Sequence, residues 1–417
     1  METYKFLLDL ALILLSTKLL GLITRKFNMP QVVGALLAGL ILGPGMLDII
    51  SQTDYIMQSA EVGVVMLMFC AGMETDVNEL KKAGKASLVI ALIGVIIPLI
   101  GGFAVAYIFN RPGVMESDAE AGIMLQNLFI GVILTATSVS ITVETLKELG
   151  KLKTRAGNAI LGAAVIDDIL GIVALTIITS MADSSVNIGV VLLKIAGFFL
   201  FVAVAGYAFY KLYSKWSARS EKGLERHAIA AFVFCLLMSY AAEQFFGVAD
   251  ITGAYIAGMI ISMTQKEKYL ASRFSVLSYL YLSPIFFASI GLKVVLPDMN
   301  AQIIAFSVIL TLVAILTKVA GCGFGAKLFH YTNHEALQIG VGMISRGEVA
   351  LIVASKGEAL GLMSTKFMGP VVIVVIITTI VTPVLLKPVF NLPDKEQPAP
   401  GKKIAWKLKK PEKAPKN

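Results

Sequence analysis

Two adjacent carboxylates, Asp167 and Asp168, sit in the middle of an apolar run from Ala156 to Met181. Crossing a bilayer takes about 20 residues, so the run can span and the pair would lie near the membrane centre. Each acid there costs about 2.5–3.5 kcal/mol on insertion scales. Polar glue between helices, or a buried ion pair that fixes packing, is the plain reason to keep such groups. An ion or proton site is the sharper one, because intramembrane acids usually mark ion pathways. Lys318 is also deep in an apolar run, Leu310 to Gly325, nine residues from Lys327 at the next charged edge. That is about 13 Å of helix, too far for easy snorkelling. A buried ammonium needs an anionic partner or must lose its proton, and the two aspartates are the obvious partners. Neighbouring positions on a helix point about 100° apart. One aspartate therefore faces a cation path, and the other faces a neighbouring helix where Lys318 meets it. A carboxylate that holds either a proton or a small cation couples their movements by competition for one site.

Two further stretches carry polar groups at membrane depth. Thr135, Thr137, Ser138, Ser140 and Thr142 interrupt the apolar segment 121–146, and Gly340, Gly342, Ser345, Arg346, Gly347 and Glu348 interrupt 336–356. Hydroxyls in a helix can simply bond back and bend it. Matched interruptions in two halves of a chain point instead to unwound crossings, which free carbonyls and hydroxyls for a cation. Arg346 and Glu348 face different ways on a regular helix and pair only if the helix is broken.

These residues need a membrane scaffold to position them. The chain of 417 residues is 57% hydrophobic and 15% charged, with mean hydropathy +0.80. That composition excludes a soluble globular protein and indicates an all-α polytopic membrane protein. About 13 transmembrane segments can be marked, at 4–24, 31–47, 55–73, 84–109, 121–146, 154–181, 187–213, 227–246, 248–264, 275–292, 302–328, 336–356 and 366–390. Residues 1–390 form one transmembrane domain. The first run, with Asp9 and Lys18 inside it, reads as a retained helix and not a cleaved signal. Cys70, Cys235 and Cys322 lie in apolar runs and show neither disulfide nor metal spacing. His330 and His334 have no acidic or cysteine cluster beside them, so no metal centre and no cofactor is expected. A phosphate-binding Gly-x-x-x-x-Gly-Lys-Ser/Thr loop is absent, which excludes an ATP-driven pump.

An internal repeat is visible. Gly34-Ala-Leu-Leu-Ala-Gly39 resembles Gly253-Ala-Tyr-Ile-Ala-Gly258, 219 residues later, and Gly72-Met-Glu falls on Gly291-Leu-Lys at the same offset. Further on, Ile166-Asp167-Asp168-Ile169 falls on Ile377-Thr378-Thr379-Ile380. Two six-helix repeats, about 1–181 and 227–390, are thus joined by a linker helix at about 187–213. An odd number of crossings separates their starts, so the second repeat is inverted, a transporter architecture with its site at the midplane. Loop charges set the orientation: 5 Lys or Arg fall on the side of the amino terminus and 27 on the other. The amino terminus is outside and the carboxy terminus cytoplasmic, in the cell inner membrane. Residues 391–417 form a Pro- and Lys-rich tail, expected to be disordered and to touch anionic lipid rather than nucleic acid.

Met29-Pro30-Gln-Val-Val-Gly34-Ala-Leu-Leu-Ala-Gly39-Leu-Ile-Leu-Gly43-Pro44, Val65 to Glu74, the Asp167-Asp168 pair and Ser345-Arg346-Gly347-Glu348 together resemble the monovalent cation:proton antiporters. The likeness is to the NapA-like Na+/H+ branch, related in fold to NhaA, and it covers about residues 1–390. The resemblance implies two broken crossing helices and a homodimer with a dimer domain and a mobile core. It implies Asp168 as the main ligand of Na+ (or Li+) and of H+, Asp167 paired with Lys318, and Thr137 or its neighbour Ser138 as a further ligand. Arg346 and Glu348 are a candidate supporting ion pair, as readily a structural cross-link as part of the ion site. The potassium-efflux relatives carry Gln-Asp and the electroneutral ones Asn-Asp at the pair, which this chain does not. The expected activity is electrogenic Na+/H+ exchange by alternating access. A K+/H+ antiporter, a cation channel and a Na+-coupled organic anion symporter on the same fold are the competing readings.

Overall fold

The computed structural model describes residues 4–27, 29–75, 77–111, 114–115, 117–182, 188–219, 224–293 and 300–392. Every regular element among them is helical. In lipid each backbone N–H and C=O must be satisfied inside its own segment, and long apolar runs do this by coiling. The helices are α1 (Lys5–Lys26), α2 (Gln31–Leu42), α3 (Asp54–Glu74), α4 (Val77–Phe109), α5 (Ile123–Ile133), α6 (Val139–Glu148), α7 (Arg155–Ala182) and α8 (Ile188–Arg219). They continue with α9 (Leu224–Phe246), α10 (Asp250–Ser262), α11 (Glu267–Leu277), α12 (Ser283–Leu292), α13 (Ala301–Leu328), α14 (Asn333–Gly342), α15 (Glu348–Ala359) and α16 (Met368–Asn391). Among the described residues nine helical stretches are long and apolar enough to cross a membrane, and α2, α5 and α10 are shorter apolar helices. The protein is a multi-pass membrane protein.

Helix ends follow local chemistry. α3 begins where the Thr53 hydroxyl accepts from the Ile56 N–H. α14 begins with a reciprocal cap: Glu335 N–H donates to Thr332 Oγ1 at 3.1 Å, and Thr332 N–H donates to Glu335 Oε2 at 2.9 Å. The segment expected over 31–47 stops at Leu42, because Gly43 precedes Pro44 and takes an extended conformation. The segment expected over 187–213 runs on to Arg219, since Lys211, Lys215 and Arg219 are good helix formers. The segment expected over 275–292 starts at Glu267 and carries one wide turn, Ser278–Leu282, just before Pro284. Proline has no N–H for the preceding turn, and its ring crowds that turn's carbonyl; widening relieves both. The basic tail lies, beyond Leu392, outside the described residues.

Helix packing relies on glycine where backbones touch. α2 packs on α12, and a methyl group on Gly39 would lie 1.9 Å from the Ala288 carbonyl oxygen. α3 packs on α10, and a methyl group on Gly258 would lie 2.2 Å from the Phe69 carbonyl oxygen. Gly291 faces Gly39, and Gly72 faces Gly258. Each glycine of the first contact has its counterpart 219 residues away in the second, so one contact is built twice from exchanged partners. α4 packs along α5, α7 and α13 and holds together the region where α7 carries the aspartates.

Candidate ion-binding site

Asp167 and Lys318 are both buried, at 2% and 0% exposure. Lys318 Nζ on α13 donates to Asp167 Oδ1 at 3.0 Å and to Oδ2 at 3.2 Å. Gly94 of α4 makes room behind the pair: a methyl group there would lie 2.5 Å from Cys322 Sγ and 3.8 Å from Lys318 Nζ. Asp168 is the next residue of α7 and points about 100° away. It is partly exposed. Among the described residues it has no hydrogen bond and no ion pair. The helical step therefore divides the two acids: one is consumed by an ammonium and the other is left with free oxygens.

The two interruptions meet each other. α5 ends at Ile133 and α6 starts at Val139; α14 ends at Gly342 and α15 starts at Glu348. Between them, Ser138 N–H donates to the Ser345 carbonyl at 2.8 Å, and Ser345 Oγ donates to the Ser138 carbonyl at 2.7 Å. Thr142 Oγ1 donates to the Gly342 carbonyl at 2.7 Å and lies 3.1 Å from Ser345 Oγ. Gly347 is required at this seam, because a methyl group there would lie 2.7 Å from Ser138 Oγ. Two peptide stretches that lost their helical bonds thus satisfy one another. The free carbonyl ends of α5 and α14 and the N–H ends of α6 and α15 bring partial charges of both signs to the seam.

Thr137 is 3% exposed and its hydroxyl has no hydrogen-bond partner among the described residues. Ser138 Oγ lies 3.3 Å from Ser140 Oγ. Arg346 is 1% exposed; its Nη1 donates to the Met343 and Ile344 carbonyls at 3.4 and 3.0 Å, closing the open end of α14. Among the described residues its Nε and Nη2 have no partner. The Arg346–Glu348 pair cannot be followed to its acidic end, because the side chain of Glu348 lies outside the described residues. Arg346 is held instead by α16: its N–H donates to Thr378 Oγ1 at 3.2 Å, and Thr379 Oγ1 donates to its carbonyl. Sequence reasoning leaves Thr378 and Thr379 without a role. The signal that points to them is the repeat, which lays them on Asp167 and Asp168. His334, four residues from His330, bonds the Val389 carbonyl at 2.7 Å.

A cavity of about 240 Å³ opens between α1, α2, α6 and α12, with Lys18, Gln31, Glu144, Lys147, Glu148 and Tyr279 in its wall. Lys18 is held there by the Tyr279 ring, 3.4 Å from its centroid. Glu144 carries no signal in the sequence beyond its place on the segment with the interruption.

Residues 11–392 match the family described as sodium/hydrogen exchanger, transmembrane. The chain is 38% identical to the Na+/H+-K+ antiporter GerN of Bacillus cereus over 397 residues, which are 95% of this chain and 99% of that protein. It is 37% identical to a Na+/H+ antiporter of Enterococcus hirae, over 92% of this chain and 97% of that one. Its fold is similar to that of the sodium proton antiporter MjNhaP1 from Methanocaldococcus jannaschii, with TM-score 0.66 at 20% identity, covering 94% of this chain and 98% of the other. With Asp167 paired to Lys318, with two helix breaks that interlock, and with a match that spans nearly its whole length, this chain belongs to the sodium/hydrogen exchanger family.

Proposed function

We infer that the protein is a secondary transporter that exchanges Na+ for H+ across the membrane by alternating access. The observation that carries this reading is the division of labour on α7, where Lys318 holds Asp167 and Asp168 keeps its oxygens free. Asp168 is the shared ligand: it binds Na+ (or Li+) as a carboxylate and gives that cation up when it takes a proton. Thr137, whose buried hydroxyl has no partner among the described residues, and Ser138 beside it are the further ligands. The names of the Bacillus and Enterococcus relatives, Na+/H+-K+ antiporter and Na+/H+ antiporter, support the substrates.

The architecture belongs to the same proposal. Thirteen crossings form two inverted repeats, about 1–181 and 227–390, with the helix near 187–213 between them in a NhaA-like fold. The recurrence of the Gly39–Gly291 contact as Gly258–Gly72 supports that division. The protein is a homodimer of the inner membrane, its amino terminus outside, its tail cytoplasmic and near anionic lipid.

The experiment is purified protein in proteoliposomes that enclose a pH dye, with a preset pH gradient and each cation added in turn. Proton movement on adding Na+ or Li+ is expected. A response to K+ alone would replace this reading with K+/H+ exchange, and no response to any of the three would end it.

A further inference from the structure

Beyond Asp168, α7 continues to Ala182, and the next position on the same face is Gly171. A methyl group on Gly171 would meet nothing within 4 Å, so α7 borders open space one turn from the free acid. A third carboxylate lies on this side. The charge of Asp250, the first residue of α10, reaches Asp168 together with the charges of Asp167 and Lys318. Lys318 is already spent on Asp167. In the proposed orientation α7 ends and α10 begins on the outer side of the membrane.

The surroundings of Asp250 are acidic and lead to the surface. Glu243, near the end of α9, accepts the Asp250 N–H. The largest charges that bear on the Asp250 carboxylate are those of Glu243 and of Glu61 on α3. Both glutamates are exposed and Asp250 is partly exposed. Positions four apart share a helix face, so Cys235, Ser239 and Glu243 line one side of α9. α10 lies against that side: a methyl group on Gly253 would lie 2.5 Å from the Met238 carbonyl oxygen and 3.0 Å from Ser239 Cα. Gly253 and Asp250 are three apart on α10 and share a face, and the charge of Asp250 reaches the Cys235 thiol. Between Cys235 and Glu243, Ser239 is 5% exposed, and its hydroxyl bonds no nitrogen or oxygen among the described residues. A buried hydroxyl without such a partner is costly and keeps a lone pair for a cation.

We propose that Asp250 is a cation-receiving carboxylate on the outer route to Asp168, with the Ser239 hydroxyl beside it. The role rests on the Na+/H+ reading above and adds a residue to it. Charges of one sign along a cleft concentrate cations, and that effect falls as salt screens it. The acids around Asp250 add to its field. The plain alternative is a helix cap, since Asp250 Oδ1 accepts the Ile251 N–H at 2.7 Å. Asparagine caps a helix about as well as aspartate. Asp250→Asn therefore keeps the cap and removes the charge.

The test measures KM for Na+ on each face of the membrane, for wild type, Asp250→Asn and Asp250→Glu. Right-side-out vesicles that enclose a pH dye read the outer face, and everted vesicles read the cytoplasmic one. Asp250→Asn is expected to raise the outer KM about tenfold, the low end of charge focusing, and to leave the cytoplasmic KM within about twofold. Asp250→Glu keeps the charge and restores the outer KM. Choline chloride raises the outer KM of wild type and leaves that of Asp250→Asn flat. A cap or a packing contact would not confine its effect to one face or make it depend on salt. An unchanged outer KM in Asp250→Asn, or an equal change on both faces, would overturn the proposal while leaving Na+/H+ exchange in place. Wild-type vesicles without exchange on either face would strike the functional reading itself, and this role with it.

Discussion

Lys318 binds both oxygens of Asp167, at 3.0 and 3.2 Å, across 151 residues of sequence, and both partners are buried. Breaking a buried ion pair from one side strands the other charge and costs about 3–5 kcal/mol. Lys318→Ala is therefore expected to lower the thermal stability of the detergent-solubilised protein sharply, and Asp167→Ala to do the same. Asp168→Asn, which removes an acid that has no hydrogen bond or ion pair among the described residues, should melt near the wild-type temperature. Equal melting of all three would show that the pair carries no structural load.

The same asymmetry separates stability from transport. Asp168→Asn is expected to abolish exchange in proteoliposomes while the protein stays folded, since it deletes the group that Na+ and H+ are proposed to share. Normal exchange by this variant would move the site elsewhere.

Exchange is expected to be electrogenic. The proposed site holds a second proton besides that of Asp168, on the Lys318 ammonium, which is released if Na+ binding at Asp168 breaks the Lys318–Asp167 pair. Two protons for each Na+ move one net charge per cycle. A potential of 100 mV then biases that step by about 2.3 kcal/mol. Sodium-jump currents on a supported membrane are the direct measurement, with an imposed potassium diffusion potential as the second. No current, and rates indifferent to potential, would indicate one-for-one coupling.

Glycine contacts predict where the scaffold tolerates a methyl group. Gly39→Ala forces Cβ against the Ala288 carbonyl oxygen and Gly258→Ala against that of Phe69; each is expected to cost about 1–3 kcal/mol as overpacking. Gly84 of α4 has nothing within 4 Å of the same position, so Gly84→Ala should be neutral or stabilising by about 0.5–1 kcal/mol. Melting temperatures of the three variants check the ranking.

Removal of the chain after Asp394 is expected to leave exchange intact, because the last described helix ends at Asn391 and the residues beyond are rich in Pro and Lys. Loss of activity in well-folded truncated protein would reveal the tail as a gate.

Much of this protein is legible in one dimension because its cues are local or periodic. Apolar runs long enough to span a bilayer, proline and glycine at helix ends, and a repeat of Gly34 to Gly39 at Gly253 to Gly258 need no knowledge of neighbours in space. Polar residues at membrane depth stand out for the same reason: lipid makes them costly wherever they point. Hence the aspartates, Lys318 and the interruptions at 135–142 and 340–348 are all visible as types and positions. Their partners are not. Whether Asp167 or Asp168 takes the ammonium depends on the rotation of α7 against α13, a matter of about 100° that spacing alone leaves open. That Ser138 bonds Ser345, 207 residues away, and that Thr378 and Thr379 hold Arg346 by its backbone, depends on segments brought together from distant parts of the chain. Glu144 is one acid among many in the chain. Only the tertiary structure decides which charges of its cavity meet, Lys147 with Glu74 and Glu148 with the Gln31 N–H, because ion pairing is decided by distances of a few ångströms between helices far apart in sequence.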